Sequence, residues 1–384
     1  MVFLFLLNSC SNSNSTDLPD HIRKLDNLTV HTPDKKLYII KFQHEQTFGN
    51  TDEDIIGSLN DITIDKAGRI FIADGKQLHI KVYEPDGRFL TRLGRQGEGP
   101  GEFLDISSIQ ATKNQLFVYD RNQQRAVVFS IDSLTYNYTI NLAENRDQFD
   151  ELSDAYLRNL NVRSNDTLLM TFSTSNFSDE MNNWDSIENT ALFYNMDGKG
   201  RIISEKLLET KSSIHILIPY GARSVGTPVS FTGELLTSFS DDGDIYVNWS
   251  NDFLIKVYNN GGEYKHAFYY PHEKIPLTKE TALNVGVPER TIENMSSMDL
   301  SETWPALNSM LIDDENRLWI STIVDDFDVY QWWVLDAEDG SLLTQFTWPR
   351  EKQIEVIKND KIYIRKTDED TGLQQIVRYS IEMN

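Results

Sequence analysis

Asp65-Lys-Ala-Gly-Arg-Ile-Phe-Ile72 is the stretch that decides the fold. A turn former stands two residues ahead of three consecutive apolar residues. The arrangement recurs along the whole chain. The triplets are Ile70-Phe71-Ile72, Leu116-Phe117-Val118, Leu168-Leu169-Met170, Ile245-Tyr246-Val247, Leu318-Trp319-Ile320 and Ile362-Tyr363-Ile364. Ahead of them stand Gly68, Asn114, Asp166, Gly243, Asn316 and Asp360. Gly, Asn and Asp tolerate positive φ best, as a tight hairpin requires.

Before each turn lies a second apolar pair at alternate positions: Ile62/Ile64, Ile109/Ala111, Leu160/Val162, Thr237/Phe239, Met310/Ile312 and Ile354/Val356. After each triplet comes a third strand, such as Leu78–Tyr83 or Gln331–Leu335. A second tight turn (Glu84-Pro-Asp-Gly87, Asp197-Gly-Lys-Gly200, Asn259-Asn-Gly-Gly262, Ala337-Glu-Asp-Gly340) then leads to a more polar fourth strand. Consecutive apolar residues in the triplets mean that both faces of each sheet are buried. A lone four-stranded meander cannot achieve that, whereas sheets stacked face to face around an axis can. The sixth copy has three strands and then the chain reaches Asn384. The orphan strand Leu37-Tyr-Ile-Ile-Lys-Phe42 supplies the missing fourth and removes an open edge. The expected fold is therefore all-β, a six-bladed β-propeller of four-stranded antiparallel blades, with the last blade closed by an N-terminal strand.

The chain has 384 residues, 39% apolar and 11% aromatic, which is ample for a large core. Its net charge of −23 argues against nucleic acid, whose phosphates need a basic surface. The single cysteine permits no internal disulfide. Residues 2–7 read Val-Phe-Leu-Phe-Leu-Leu, followed by Asn8-Ser9-Cys10. An apolar run, a small residue and Cys resemble the end of a bacterial lipoprotein signal, with Cys10 as the lipidation site. The run is short and has no Lys or Arg before it. The expected organisation is a signal over 1–10, a flexible tether over 11–29 and a propeller over 30–384. Attachment to the membrane would be through lipid only, in the bacterial cell envelope, on the periplasmic side or at the outer membrane.

Asp65 to Asp74, Ile80-Lys-Val-Tyr-Glu-Pro-Asp-Gly87 and Gly94-Arg-Gln-Gly-Glu-Gly-Pro-Gly-Glu-Phe103 together resemble an NHL-type propeller repeat. Residues 30–384 as a whole resemble the six-bladed β-propeller lipoproteins of gut-type Gram-negative bacteria. That resemblance implies the fold and an envelope location more than any activity. Some NHL-like propellers are lyases with a metal in the channel.

Because strands alternate direction, the connections from second to third strand and from blade to blade share one face. The long insertions, 141–158, 173–189, 208–235 and 270–307, all fall on it, with short helices at Thr278–Asn284 and Glu289–Met295. Long loops on one face of a rigid scaffold are where binding usually resides. Arg95, Gln96, Arg121, Arg125, Tyr220, Arg223, Trp249 and Tyr330 map to these connections and are the candidate ligand-binding residues. Arginines could hold an anion and aromatics could stack on sugar or peptide; ordinary ion pairing with Glu98, Glu102, Asp325 or Asp326 is the competing reading. The glycines of 94–101 lack the Lys-Ser/Thr of a phosphate loop. Asp241-Asp-Gly-Asp244 and Asp313-Asp-Glu-Asn316 lack calcium-loop spacing and read as turns. The seven histidines show no paired metal spacing, and no G-x-S-x-G is present. No metal, cofactor or catalytic residue is assigned. The expected function is a monomeric envelope module holding a protein, peptide or carbohydrate. The rival is a lyase or hydrolase working in the channel through Asp61, Asp65 and Glu355.

Overall fold

The computed structural model describes residues 18–32, 37–49, 55–163, 167–177, 181–221, 223–285, 287–298, 300–368 and 370–384. Cys10 and the turn residue Asp166 lie outside these.

Six antiparallel sheets surround an axis, one per repeat. The inner strands are Leu59–Ile64, Ser108–Ala111, Tyr156–Val162, Leu235–Phe239, Leu307–Ile312 and Gln353–Ile357. Each is followed by the strand that carries an apolar triplet, and every triplet residue is at most 7% exposed. The apolar clusters lie between blades. Phe71, Ala73 and Val82 of the first meet Ile109, Leu116 and Val118 of the second. Ile62 and Ile72 of the first meet Tyr363 and Ile376 of the sixth.

The sixth blade closes as the orphan strand requires. Ile40–Phe48 runs antiparallel to Gln374–Met383, pairing Ile40 with Met383 and Phe48 with Ile376. The strand starts three residues later and runs further than the stretch 37–42. It continues because Phe48 is buried between Ile56, Tyr83 and Ile376.

Two blades gain a fifth strand. In the third, Arg223–Pro228 pairs with the outer strand Leu208–Tyr220, so most of the expected loop 208–235 is sheet. Part of 173–189 likewise extends the strands Leu168–Ser175 and Ser186–Met196. In the fourth, Leu28–Val30 lies parallel to Tyr264–Tyr269. Residues 20–29, within the stretch 11–29 expected to be a tether, thus pack on the fourth blade. The helix Asp20–Arg23 buries Ile22 against Leu254 and Ala267. His31 then stacks on Tyr270 at 5.0 Å and donates from Nε2 to the Asp339 carbonyl at 2.9 Å.

The inner hairpin turns hold Gly68, Gly243, Asn316 and Asp360 at positive φ. Asn114 is not among the positive-φ residues, and its turn closes through Thr112 and Gln115. The outer hairpin turns carry Gly87, Gly200, Gly262 and Gly340, at φ between 75° and 91°. Each of these glycines also abuts the outer strand, or the residue leading into it, of the preceding blade. A Cβ on Gly200 would lie 1.9 Å from the Asn141 carbonyl oxygen, and one on Gly87 would lie 2.0 Å from Gln46 Nε2.

Both glycines face the same φ penalty, but the Gln46 side chain can swing away and the Asn141 backbone cannot. Urea unfolding should therefore show Gly87→Ala losing about 1–2 kcal/mol and Gly200→Ala about 3 kcal/mol or more. Equal losses would mean that the rigid Asn141 backbone adds nothing beyond the movable Gln46 side chain.

Candidate functional site

In four blades the apolar residues of the inner strand change parity. Leu59, Ile62 and Ile64 are all buried, as are Leu157, Leu160 and Val162. Strict alternation cannot bury residues three apart, so one extra residue is extruded as a β-bulge. The extra residues are Asn60, Arg158, Asn308 and Glu355. Asn60, Arg158 and Asn308 lie in the insertion-side half of their strands, and Glu355 is the middle residue of Gln353–Ile357. Together they form a polar collar at that mouth of the channel.

Each collar side chain has a partner. Asn60 Nδ2 donates to the Ile106 carbonyl at 2.8 Å, and Arg158 Nη1 donates to Ser212 Oγ at 2.5 Å. Asn308 Oδ1 accepts from the Tyr330 hydroxyl at 2.9 Å, and Glu355 Oε1 accepts from Arg365 Nε at 2.7 Å. Asp61 follows Asn60. Its two oxygens accept the Ile62 and Ile109 backbone N–H groups at 2.8 and 2.7 Å, which ties the first blade to the second.

Between the third and fifth blades the collar opens into two cavities. One of about 290 Å³ is lined by Arg158, Asn159, Glu234 and Ser309. The other, of about 190 Å³, is lined by Ser213, Thr232, Glu234 and Asn308. Glu234 belongs to both. Burial pushes its carboxyl upward against the pull of Arg158. Burial lowers His215, and Arg158 lowers it further.

Over these cavities the insertions form a cap with its own core. Ile216 and Phe231 come from the third blade and its exit. Ala282, Ile292, Met298 and Trp304 come from the fourth-to-fifth connection, and Ile323 from the fifth blade. The helices Lys279–Asn284 and Glu289–Asn294 lie in that connection. Trp304 Nε1 donates to Thr281 Oγ1 at 2.9 Å, and the Arg350 guanidinium sits over the Phe327 and Tyr330 rings at 4.7 and 4.4 Å. The insertion 141–158 stays apart, with Leu142, Leu152 and Leu157 in the core between second and third blades.

The structure does not gather the eight candidates into one pocket. Arg95 pairs with Glu102 at 2.8 Å, and Gln96 joins a two-residue bridge with Phe103. Arg125 is held by the Glu98 and Glu102 carbonyls at 2.9 and 2.7 Å, and Arg121 faces Asp105 at 3.5 Å. These three arginines make ordinary pairs at the junction of the first two blades. Tyr220, 78% exposed, and the exposed Arg223 stand at the tip of the third blade's added hairpin. Trp249 packs on Gly233 below the cap, with Lys211 Nζ 5.9 Å from its ring centre. Tyr330 alone of the eight bonds directly to the collar. Asn60, Arg158, Glu234 and Asn308 were not singled out from the sequence. The signal for Asn60, Arg158 and Asn308 was an apolar residue, two polar residues and another apolar one, as in Leu59-Asn-Asp-Ile62, Leu157-Arg-Asn-Leu160 and Leu307-Asn-Ser-Met310; Glu234 carried none.

Among the described residues, no group of three or more His, Cys, Asp or Glu is placed to hold a metal ion. No helix there is long and apolar enough to cross a membrane.

Six stacked blades, an N-terminal closing strand and a one-sided cap define the class as a six-bladed β-propeller. Residues 47–261 match the domain family DUF5128, described as 6-bladed beta-propeller, and the chain belongs to that family. Two solved structures share the fold. One, described as an exported protein, comes from Bacteroides fragilis; it has 12% identity and a TM-score of 0.52, with 93% of this chain and 99% of that chain covered. The other is a member of the DUF4221 family from Bacteroides vulgatus; it has 9% identity and a TM-score of 0.53, with 91% and 100% covered. No functionally curated protein matches the chain in sequence.

Burial pushes the Asp61 carboxyl up to about 7, and the nearby Glu355 charge adds to the rise. A carboxyl whose folded pKa exceeds its unfolded value keeps its proton longer in the folded state. Its contribution is present below about pH 4 and is lost as pH rises towards 7. Carboxyl-carbon NMR titration should give Asp61 a midpoint near 7, and Glu355→Gln should lower it. A midpoint near 4 in both proteins would contradict this assignment.

Proposed function

We propose that the protein is a binding or scaffolding lipoprotein of the bacterial cell envelope that holds its ligand or partner on the insertion-bearing face. One observation carries this reading. Insertions from separate blades fold into a single apolar-cored cap over a polar cleft at the channel mouth. A propeller needs no such cap for its own stability, because its blades already cover one another. The cleft offers Arg158, Glu234 and Asn308 for hydrogen bonding, with Trp249 and Tyr330 beside it. That mixture suits a peptide, a protein loop or a carbohydrate. The apolar run ending at Cys10, together with the likeness to an exported Bacteroides protein, supports the envelope location.

The rival is a channel enzyme, and the raised carboxyls of Asp61, Glu234 and Glu355 are what favour it. Two of these are already engaged. Asp61 gives both oxygens to backbone N–H groups and Glu355 holds Arg365, so they stitch the ring together. Binding is the better reading.

A photo-crosslinking residue at Tyr220 or Leu283, both exposed on the cap side, should capture one recurrent envelope component in cells. The same residue at Lys199, in an outer hairpin turn on the opposite face, should not. Cys10→Ala should move the protein from the detergent phase to the aqueous phase. Capture at Lys199 alone, or turnover of a small substrate that Asp61→Asn abolishes, would overturn the binding reading.

A further inference from the structure

The largest cavity among those described, about 670 Å³, opens at the other mouth of the channel, among the inner hairpin turns. The residue following each inner strand occupies an equivalent place in all six blades: Asp65, Thr112, Arg163, Ser240, Asp313 and Lys358. In four blades this residue closes its own turn with an oxygen. Asp65 accepts the Ala67 and Arg69 N–H groups, and Asp313 accepts those of Glu315 and Arg317. Thr112 accepts from Gln115, and Ser240 from Asp244. Arg163 and Lys358 have no oxygen to offer. Both instead line the cavity, where Lys66 and Lys113 join them.

Arg163 is 6% exposed. Its Nη1 donates to the Asn260 carbonyl at 2.7 Å, and among the described residues its buried Nη2 has no hydrogen-bond partner. The arginines of the first and fifth inner turns, four residues further on, are neutralised, Arg69 by Asp65 at 2.7 Å and Arg317 by Asp313 at 2.6 Å. Burial pushes the Arg163 guanidinium down to about 10, and no described carboxylate pairs with it. A buried charge left unpaired is costly, and structures keep one where something else compensates it. Among the described residues, two acids line the cavity against these four cations. Asp65 is taken by Arg69, which leaves Asp241. This basic mouth stands in a chain of net charge −23.

We propose that the turn-side mouth is a binding site for a small polyanion, a polar molecule bearing two or more carboxylate or phosphate groups. Arg163 and Lys358 grip the anionic groups, Lys66 and Lys113 draw them in, and Asn161 offers a neutral hydrogen-bonding group. The site is separate from the capped face and does not depend on what binds there.

Calorimetric titration of the full chain at low ionic strength tests this, with citrate as the carboxylate probe, fructose 1,6-bisphosphate as the phosphate probe and glucose as the neutral control. One of the two anions should bind saturably at a single site, more weakly as salt rises, and glucose should not. Lys358→Met should weaken binding tenfold or more. Arg163→Met should do the same while melting no lower than the parent, because it removes an uncompensated buried charge. Should that variant fail to fold, Lys113→Gln with Lys358→Gln tests the same point from the rim. The proposal is overturned if neither anion binds, if binding survives Lys358→Met or the rim pair, or if Arg163→Met keeps its affinity and melts lower.

Discussion

The ring depends on the contact between each outer-hairpin glycine and the blade before it. Gly200 sits against Asn141, Gly262 against Leu207 and Gly340 against Phe268, each at positive φ with no space for a side chain. The contact sets how closely one blade follows another at the rim, while the apolar triplets set it further in. The first blade repeats it. Gly87 rests on Gln46, which belongs to the N-terminal strand of the sixth blade. The closing strand therefore does what any outer strand does, and the blade spacing is kept across the closure.

Much of this was legible in the chain. Six triplets with their turns fix the number of blades, since consecutive apolar residues cannot be buried in a two-faced sheet unless other sheets cover both sides. The orphan stretch 37–42 pointed to the closure, which the pairing of Ile40–Phe48 with Gln374–Met383 makes. The bulges were visible only as doubled polar residues, and a doublet such as Asn60-Asp61 reads equally well as a strand end. The extra length of Ser186–Met196 and Leu208–Tyr220 was hidden because polar, alternating residues in an insertion look like loop. Ile22 was hidden for another reason. A single apolar residue in a polar stretch gives no periodicity, and its burial against Leu254 is a tertiary event.

The candidate residues illustrate a different limit. Sequence places Arg95 and Arg125 on the right side of the ring, yet it cannot say that Glu102 and nearby carbonyls already occupy them. Connection length locates a face and says little about which charges on it remain free. What distinguishes a group left for a ligand is the role it fails to play in the fold. Arg163 and Lys358 stand where an oxygen would close a turn, whereas Asp61, acidic and central, is used up by two backbone N–H groups.

The closing strand also governs the order of events as the chain folds. Gln43 and Ser380, paired across the closure, are 337 positions apart. Bringing the ends of so long a segment together costs about 5 kcal/mol of chain entropy, beyond a fixed term. The strand Ile40–Phe48 must wait, unpaired, until Gln374–Met383 has been made. Blades one to five can assemble in sequence during that wait, each templated by the one before. Once the final pairing forms, no blade can peel away without first breaking the join. The pairing of Ile40–Phe48 with Gln374–Met383 is thus the join on which closure of the ring rests, far in sequence from the cap.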